Sequence, residues 1–127
     1  MNAKLEAAIE EFNRGEYFTA AELFEHAAAE DETNKTFIIA LNRIAAGLHL
    51  RFERGGRQAA INLFSQAMLT LDQLKPNRES IDIETLLAEL HAYTEEIRAT
   101  SKDEGEGMKH RARLFLERRR APKIKRI

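Results

Sequence analysis

The chain lacks cysteine and tryptophan, and its 127 residues include only two prolines and six glycines. Without cysteine there is no disulfide, no thiolate metal ligand and no cysteine nucleophile. The first residues show no basic segment followed by an apolar run, so we expect no secretory signal. The longest apolar stretch, residues 37–50, is interrupted by polar side chains and is too short to span a bilayer. We therefore expect no membrane insertion. The expected location is the cytoplasm or, in a eukaryote, the stroma of a plastid or other organelle.

Two common catalytic patterns are also missing. Gly55-Gly56 is not followed by the lysine and hydroxyl residue of a phosphate-binding loop. None of the serines has a base at a recognisable spacing, and Ser101 falls in a polar segment that we interpret as a linker. The sequence therefore favours a protein that is not an enzyme and needs no cofactor, while acid–base catalysis by carboxylates is left open.

Charge is divided unevenly along the chain. Residues 1–107 contain 11 lysines and arginines against 20 aspartates and glutamates, whereas residues 108–127 contain nine lysines and arginines and a single acid, Glu117. An acidic body with a basic tail bears on which partners the protein binds.

An internal repeat is the clearest positive signal. Residues 12–27 align without a gap on residues 52–67, and seven of the sixteen pairs are identical. The identical residues include a turn glycine (Gly15 and Gly55) and a small, apolar helix face. A helix–turn–helix unit used twice, with a period of forty, predicts an α-helical array.

Helical spacing of apolar residues predicts five core helices and a sixth, basic helix, with no strand. Asn2 and Asp82 are the expected N-caps of the first and fifth helices. The second helix is expected to start near Thr19, the third to be central and apolar on nearly every side, and the fourth to end at Pro76. Gly47 within the third helix predicts a close approach of a neighbouring helix. We divide the chain into a helical array (1–100), a linker (101–107), and a basic amphipathic helix and tail (108–127), of which residues 123–127 are expected to be irregular.

Several short motifs, in this order and spacing, resemble the family called domain of unknown function 309. They are Phe12-Asn13-x-Gly15-x-Tyr17 with its continuation to Glu25, Ile44 to His49, Arg54-Gly55, Ser80-Ile81-Asp82 and Pro122-x-Ile124. The resemblance implies a small all-helical fold, related in its helical pairs to tetratricopeptide-type repeats. It also implies a metal-dependent hydrolase site built from a histidine and glutamates of helix 2 and a histidine late in helix 3. Glu22, Glu25 and His49 match that pattern, but Ala21 stands where the first histidine is expected, and a methyl group cannot bind a metal.

Polar residues of the central helix allow two interpretations. Asn42 and His49 are seven residues apart and share a face, with Arg43 nearby. They belong either to a pocket in which Glu22, Glu25 and His49 hold a metal or small ligand, or to a hydrogen-bonded seam between helices in which Asn42 and Arg43 satisfy neighbouring polar groups. We favour the seam.

The basic tail also has several interpretations. It docks on an acidic protein, contacts the phosphates of nucleic acid, or lies against the acidic body. The tail lacks the interleaved aromatic residues that stack on bases, so a protein partner ranks above RNA. The expected partner-binding residues are Arg111, Phe115, Leu116, Arg118, Arg119, Arg120, Lys123, Lys125 and Arg126.

The sequence thus predicts an all-α helical array that acts as a non-catalytic interaction or assembly module and binds a protein partner with a basic C-terminal anchor. The alternatives are a degenerate metal-dependent hydrolase or small-ligand-binding protein, and RNA binding through the tail. The partner and the oligomeric state are left open.

Overall fold

The predicted helical array is present in the computed structural model, which describes residues 2–99 and 108–127. Its elements within these ranges are α1 (Ala3–Asn13), α2 (Tyr17–Ala29), α3 (Lys35–Arg54), α4 (Gln58–Asp72), a hairpin of β1 (Asn77–Arg78) and β2 (Ile81–Asp82), α5 (Ile83–Arg98) and α6 (Met108–Arg119). The predicted linker, residues 101–107, lies outside the described residues.

The two repeat units are the helix pairs α1–α2 and α3–α4. Gly15 and Gly55 both have left-handed backbone (φ 85° and 67°), which glycine adopts without the steric cost of a Cβ atom. The second helix of each pair buries its repeated phenylalanine completely, Phe24 in α2 and Phe64 in α4. The repeat therefore records one helix–turn–helix unit with one buried face, used twice.

Helix α3 is the central element and packs against both α2 and α4. Gly47 allows the contact with α4, because a Cβ atom at this position would lie 2.5 Å from Cε1 of Phe64. The close approach predicted from Gly47 is confirmed. In the described part of the chain, no helix combines the length and the apolar character needed to cross a membrane.

Both predicted N-caps are confirmed. The Asn2 side chain accepts a hydrogen bond from the backbone N–H of Leu5 (2.6 Å), and the Asp82 carboxylate accepts one from that of Thr85 (3.0 Å). Two predicted helix boundaries were wrong. Helix α2 begins at Tyr17, directly after the Gly15 turn, and α4 ends at Asp72, four residues before Pro76.

The hairpin between α4 and α5 was not predicted. Two residues, Glu79 and Ser80, close it with positive φ angles of 52° and 61°, as the tight turns of two-residue hairpins require. Without asparagine or glycine at the turn, the sequence gives no standard hairpin signal. Residues 123–127 form no helix or strand, as expected, but they run along the hairpin: Arg126 pairs with Ile81 in an isolated bridge, and the Asp82 N–H donates to the Lys125 carbonyl (2.8 Å).

Candidate interaction surface

Helix α6 buries an acidic residue against the array and leaves two large apolar residues outward. Glu117 is 1% exposed, whereas Phe115 and Leu116 are 65% and 50% exposed. Ala112, Phe115, Leu116 and Arg119 recur at intervals of three and four residues, so they share one face of the helix, and all four are exposed. We call these four residues the α6 stripe. A surface helix normally has the opposite orientation.

A buried ion pair fixes this orientation. The Glu117 carboxylate accepts two hydrogen bonds from the Arg51 guanidinium, from Nε (2.9 Å) and from Nη2 (3.1 Å). It also accepts one from the Tyr93 hydroxyl (2.7 Å), and Arg51 Nη1 donates to the carbonyl of Gly55 (3.3 Å). A bidentate arrangement with further hydrogen bonds is what a buried pair needs to offset its desolvation. The α6 helix is therefore joined to α3 and α5 through one carboxylate.

The same network affects the pKa of the Tyr93 hydroxyl. Burial, the charge of Glu117 and the hydrogen bond to it all raise the pKa of the Tyr93 hydroxyl well above its usual range, against a smaller opposing effect of Arg51. The hydroxyl is therefore held in its neutral, hydrogen-bond-donating form.

Arg118 forms the second attachment of α6. Its guanidinium donates to the carbonyl of Gly15 and lies 5.4 Å from the ring centroids of both Tyr17 and Phe52. These two rings stack on each other at 5.9 Å. Arg118 thus joins α6 to the turn of the first repeat by a charge-assisted hydrogen bond and cation–π contacts.

Four further cations of the tail also bind the body. Arg120 pairs with Glu96 (2.8 Å), Lys125 with Glu89 (2.7 Å) and Arg126 with Glu6, while the Lys123 ammonium donates to the Asn13 carbonyl (3.1 Å). The Asn13 side chain exchanges two hydrogen bonds with the backbone of Ile124 (2.8 and 2.9 Å). Of the alternatives for the tail, the structure has the one in which it lies against the acidic body.

Only part of the predicted partner-binding set is left exposed and uncommitted. Phe115, Leu116 and Arg119 are exposed, and the Arg119 side chain makes no hydrogen bond or ion pair with any residue that the structure describes. The side chain of Arg111 lies outside the described part. Of the three consecutive arginines in the predicted set, Arg118 and Arg120 contact the body, and only Arg119 is left to bind a partner.

Two small cavities flank the Arg118 side chain. One, of about 240 Å³, is lined by Phe52, Leu114, Phe115 and Arg118. The other, of about 80 Å³, lies on the side of the first repeat turn, and its lining includes Phe18, His49, Phe52 and Arg118. Since Phe52 and Arg118 line both, the two cavities belong to one continuous surface, whose larger cavity opens beside the α6 stripe.

The residues considered as metal ligands are not brought together. Glu22 and Glu25 are exposed on α2, while His49 is half-buried with its ring 5.2 Å from that of Phe18. Within residues 2–99 and 108–127, no three histidine or carboxylate side chains are grouped closely enough to hold a metal ion.

The polar seam is present in part. Asn42 Nδ2 donates to the carbonyl of Ala21 (2.7 Å), which joins α3 to α2 as a seam residue would. The Arg43 guanidinium has no ion pair with any described residue, so its part in the seam stays a prediction.

The sequence analysis missed the Arg51–Glu117–Tyr93 network. The usable signal was Glu117, the only acid among the last twenty residues. Arg51 gave little warning, because it stands near the end of α3, where an exposed arginine is ordinary.

Comparison with protein-family models, with curated proteins and with solved structures found no match to this chain. The resemblance to the domain of unknown function 309 therefore stays a prediction that depends on the motifs quoted above.

Proposed function

We propose that this protein is a non-catalytic helical module that binds a protein partner through the α6 stripe. One observation carries the proposal: the side chains of Phe115 and Leu116 point to solvent although the neighbouring Glu117 and Arg118 attach α6 to the array. Full burial of such a side chain contributes about 1.5–3 kcal/mol, and Phe115 and Leu116, at 65% and 50% exposed, each forgo roughly half of it or more in this orientation. Phenylalanine and leucine exposed side by side, next to a cavity, are typical of an unoccupied protein-binding surface.

Helix α6 presents this surface as a preformed element. The Glu117 and Arg118 attachments fix the helix before any partner arrives, so the partner does not bear the entropic cost of ordering it. Arg119 extends the apolar pair with an uncommitted cation and favours a partner that carries carboxylates.

The cations of the tail support protein recognition better than RNA recognition. Arg120, Lys125 and Arg126 pair with carboxylates of the body, and phosphate contacts would have to replace these pairs. A protein surface with an apolar side chain needs no such rearrangement.

Site-specific photocrosslinking in cells tests the proposal. Benzoylphenylalanine replaces Phe115 in one variant and Leu69 in a matched control, because Leu69 is a 72% exposed residue of α4 that lines neither cavity. We expect a discrete protein adduct from position 115 and none from position 69. The adduct should be the same whether or not the lysate of the crosslinked cells is treated with nuclease.

Binding of the identified protein, purified, is then measured against the Phe115→Ala/Leu116→Ala variant. A loss of affinity of about thirtyfold or more is expected. Equal adducts from both positions, or an adduct that disappears with nuclease, would refute the proposal.

A further inference from the structure

The exposed face of α2 carries carboxylates, which the α6 stripe lacks. Phe18, Glu22, Glu25 and Ala29 recur at intervals of four and three residues on one face of α2, and all are exposed. Phe18 is 57% exposed. Neither the Glu22 nor the Glu25 carboxylate makes a hydrogen bond or ion pair with another described residue. We call these four residues the α2 face.

Charge on the two helices is opposite. Residues 16–30, which include α2, contain four glutamates and no lysine or arginine, whereas α6 contains five lysines and arginines and one glutamate. That glutamate is Glu117, which is buried and already paired. The two exposed faces are therefore complementary in charge, and each includes a bulky apolar side chain, Phe18 at the N-terminal end of the α2 face and Phe115 within the α6 stripe.

The two faces lie on the same side of the molecule. Phe18 lines the smaller cavity beside Arg118, and Phe115 lines the larger cavity on its other side. Phe18 and Phe115 thus flank Arg118, and a twofold axis near Arg118 would bring Phe18 of one copy opposite Phe115 of the other.

We propose that the partner of the α6 stripe is a second copy of this chain, with the α2 face of each copy seated on the α6 stripe of the other. The Phe18 ring enters the 240 Å³ cavity lined by Phe52, Leu114, Phe115 and Arg118 of the second copy, while Glu22 and Glu25 approach its Arg119. The contact is made twice, as in the isologous dimers that predominate among homo-oligomers. This inference rests on the proposed function and adds the identity of the partner.

Sedimentation velocity of the full chain over a wide concentration range tests the inference. We expect a reversible monomer–dimer equilibrium. Phe18→Ala and Phe115→Ala should each raise the dimer dissociation constant by about thirtyfold or more, because each variant loses one anchor at both contacts of the dimer. Leu69→Ala should leave it unchanged.

A charge exchange identifies the pairing of the faces. Glu22→Arg/Glu25→Arg alone and Arg119→Glu alone should each weaken the dimer. A one-to-one mixture of the two variants should restore it, because in the mixed dimer one contact is wild type and the other has both charges reversed.

The outcomes separate this inference from the proposed function. A chain that stays monomeric throughout, while crosslinking at position 115 captures a different protein, overturns the self-association and leaves the proposed function intact. A dimer that is indifferent to Phe18→Ala, Phe115→Ala and the charge exchange also overturns it. Crosslinks from position 115 to the α2 face of a second copy would support both.

Discussion

Removing one member of the Arg51–Glu117 pair should destabilise the protein far more than any other ion pair described here. Arg51 and Glu117 are 2% and 1% exposed, so water cannot replace a lost partner. Arg51→Met leaves a buried carboxylate with only the Tyr93 hydroxyl, and Glu117→Gln leaves a buried guanidinium without a counter-charge. Breaking a buried pair in this way costs about 3–5 kcal/mol.

The double variant Arg51→Met/Glu117→Gln should be more stable than either single variant. It buries no net charge at this position, and the amide oxygen at position 117 still accepts the Tyr93 hydrogen bond. The remaining cost is that of a poorly satisfied amide, about 1–3 kcal/mol. If the two sites were independent the cost would be about 6–10 kcal/mol, so the coupling free energy should be at least about 3 kcal/mol.

Urea unfolding at neutral pH measures these differences. With a denaturant slope of about 1–3 kcal/mol per molar, each single variant should lower the midpoint by about 2 M. Arg120→Gln, which breaks the exposed pair with Glu96, is the matched control and should leave the midpoint almost unchanged. If a single variant does not fold, Tyr93→Phe supplies a milder perturbation of the same carboxylate, at about 1 kcal/mol.

The reasoning is refuted if Arg51→Met and Glu117→Gln both stay within about 1 kcal/mol of the wild type, or if the double variant shows the sum of the two losses. The first result would mean that the pair is hydrated, and the second that the two side chains act independently.

Three further predictions concern the fold. Gly47→Ala should lower the free energy of unfolding by about 1–2 kcal/mol because the added Cβ atom meets Phe64. Gly56→Ala is the control and should leave the free energy of unfolding unchanged, since its added Cβ atom makes ordinary contacts only; thermal unfolding measures both variants. Ser80→Gly should raise the urea midpoint by the equivalent of about 0.5–1 kcal/mol, since Ser80 has a φ of 61°, and an unchanged or lower midpoint would contradict the assigned turn. Burial raises the pKa of both tyrosines of the chain, Tyr17 and Tyr93, so the native protein should show little tyrosinate absorbance at pH 10. The free energy of unfolding should fall as the pH rises above 10.0, the pKa of tyrosine in the unfolded chain, and Tyr93→Phe should make that fall less steep. Titration of the native tyrosines at their ordinary pKa would exclude the described burial.

Local patterns were sufficient for most of the helical array. The repeat predicted the two helix pairs, and the N-caps at Asn2 and Asp82 followed from side chains that satisfy backbone N–H groups a few residues away. Gly47 predicted a close helix contact because a helix-interior glycine has a cost that packing must repay. These features depend on neighbours in sequence or on one helix face.

The candidate site depended on interactions that local patterns do not encode. The spacing of Phe115 and Leu116 indicates an amphipathic helix but not which face is buried. That choice is made by Glu117, whose partner Arg51 is 66 residues away, and by Arg118, whose acceptor is the Gly15 carbonyl. The hairpin was missed for a related reason, because Glu79 and Ser80 adopt left-handed backbone only in the context of the strands around them.

The separation between Arg51 and Glu117 has a consequence for folding kinetics. Helices α1 to α4 pack in chain order, so their contacts are local and form quickly. The attachment of α6 closes a loop of more than sixty residues and is expected to form after the rate-limiting step. Interactions that form after that step slow unfolding without changing the folding rate. Glu117 would then mainly lower the unfolding rate, and the native state would have a longer lifetime than its equilibrium stability alone suggests.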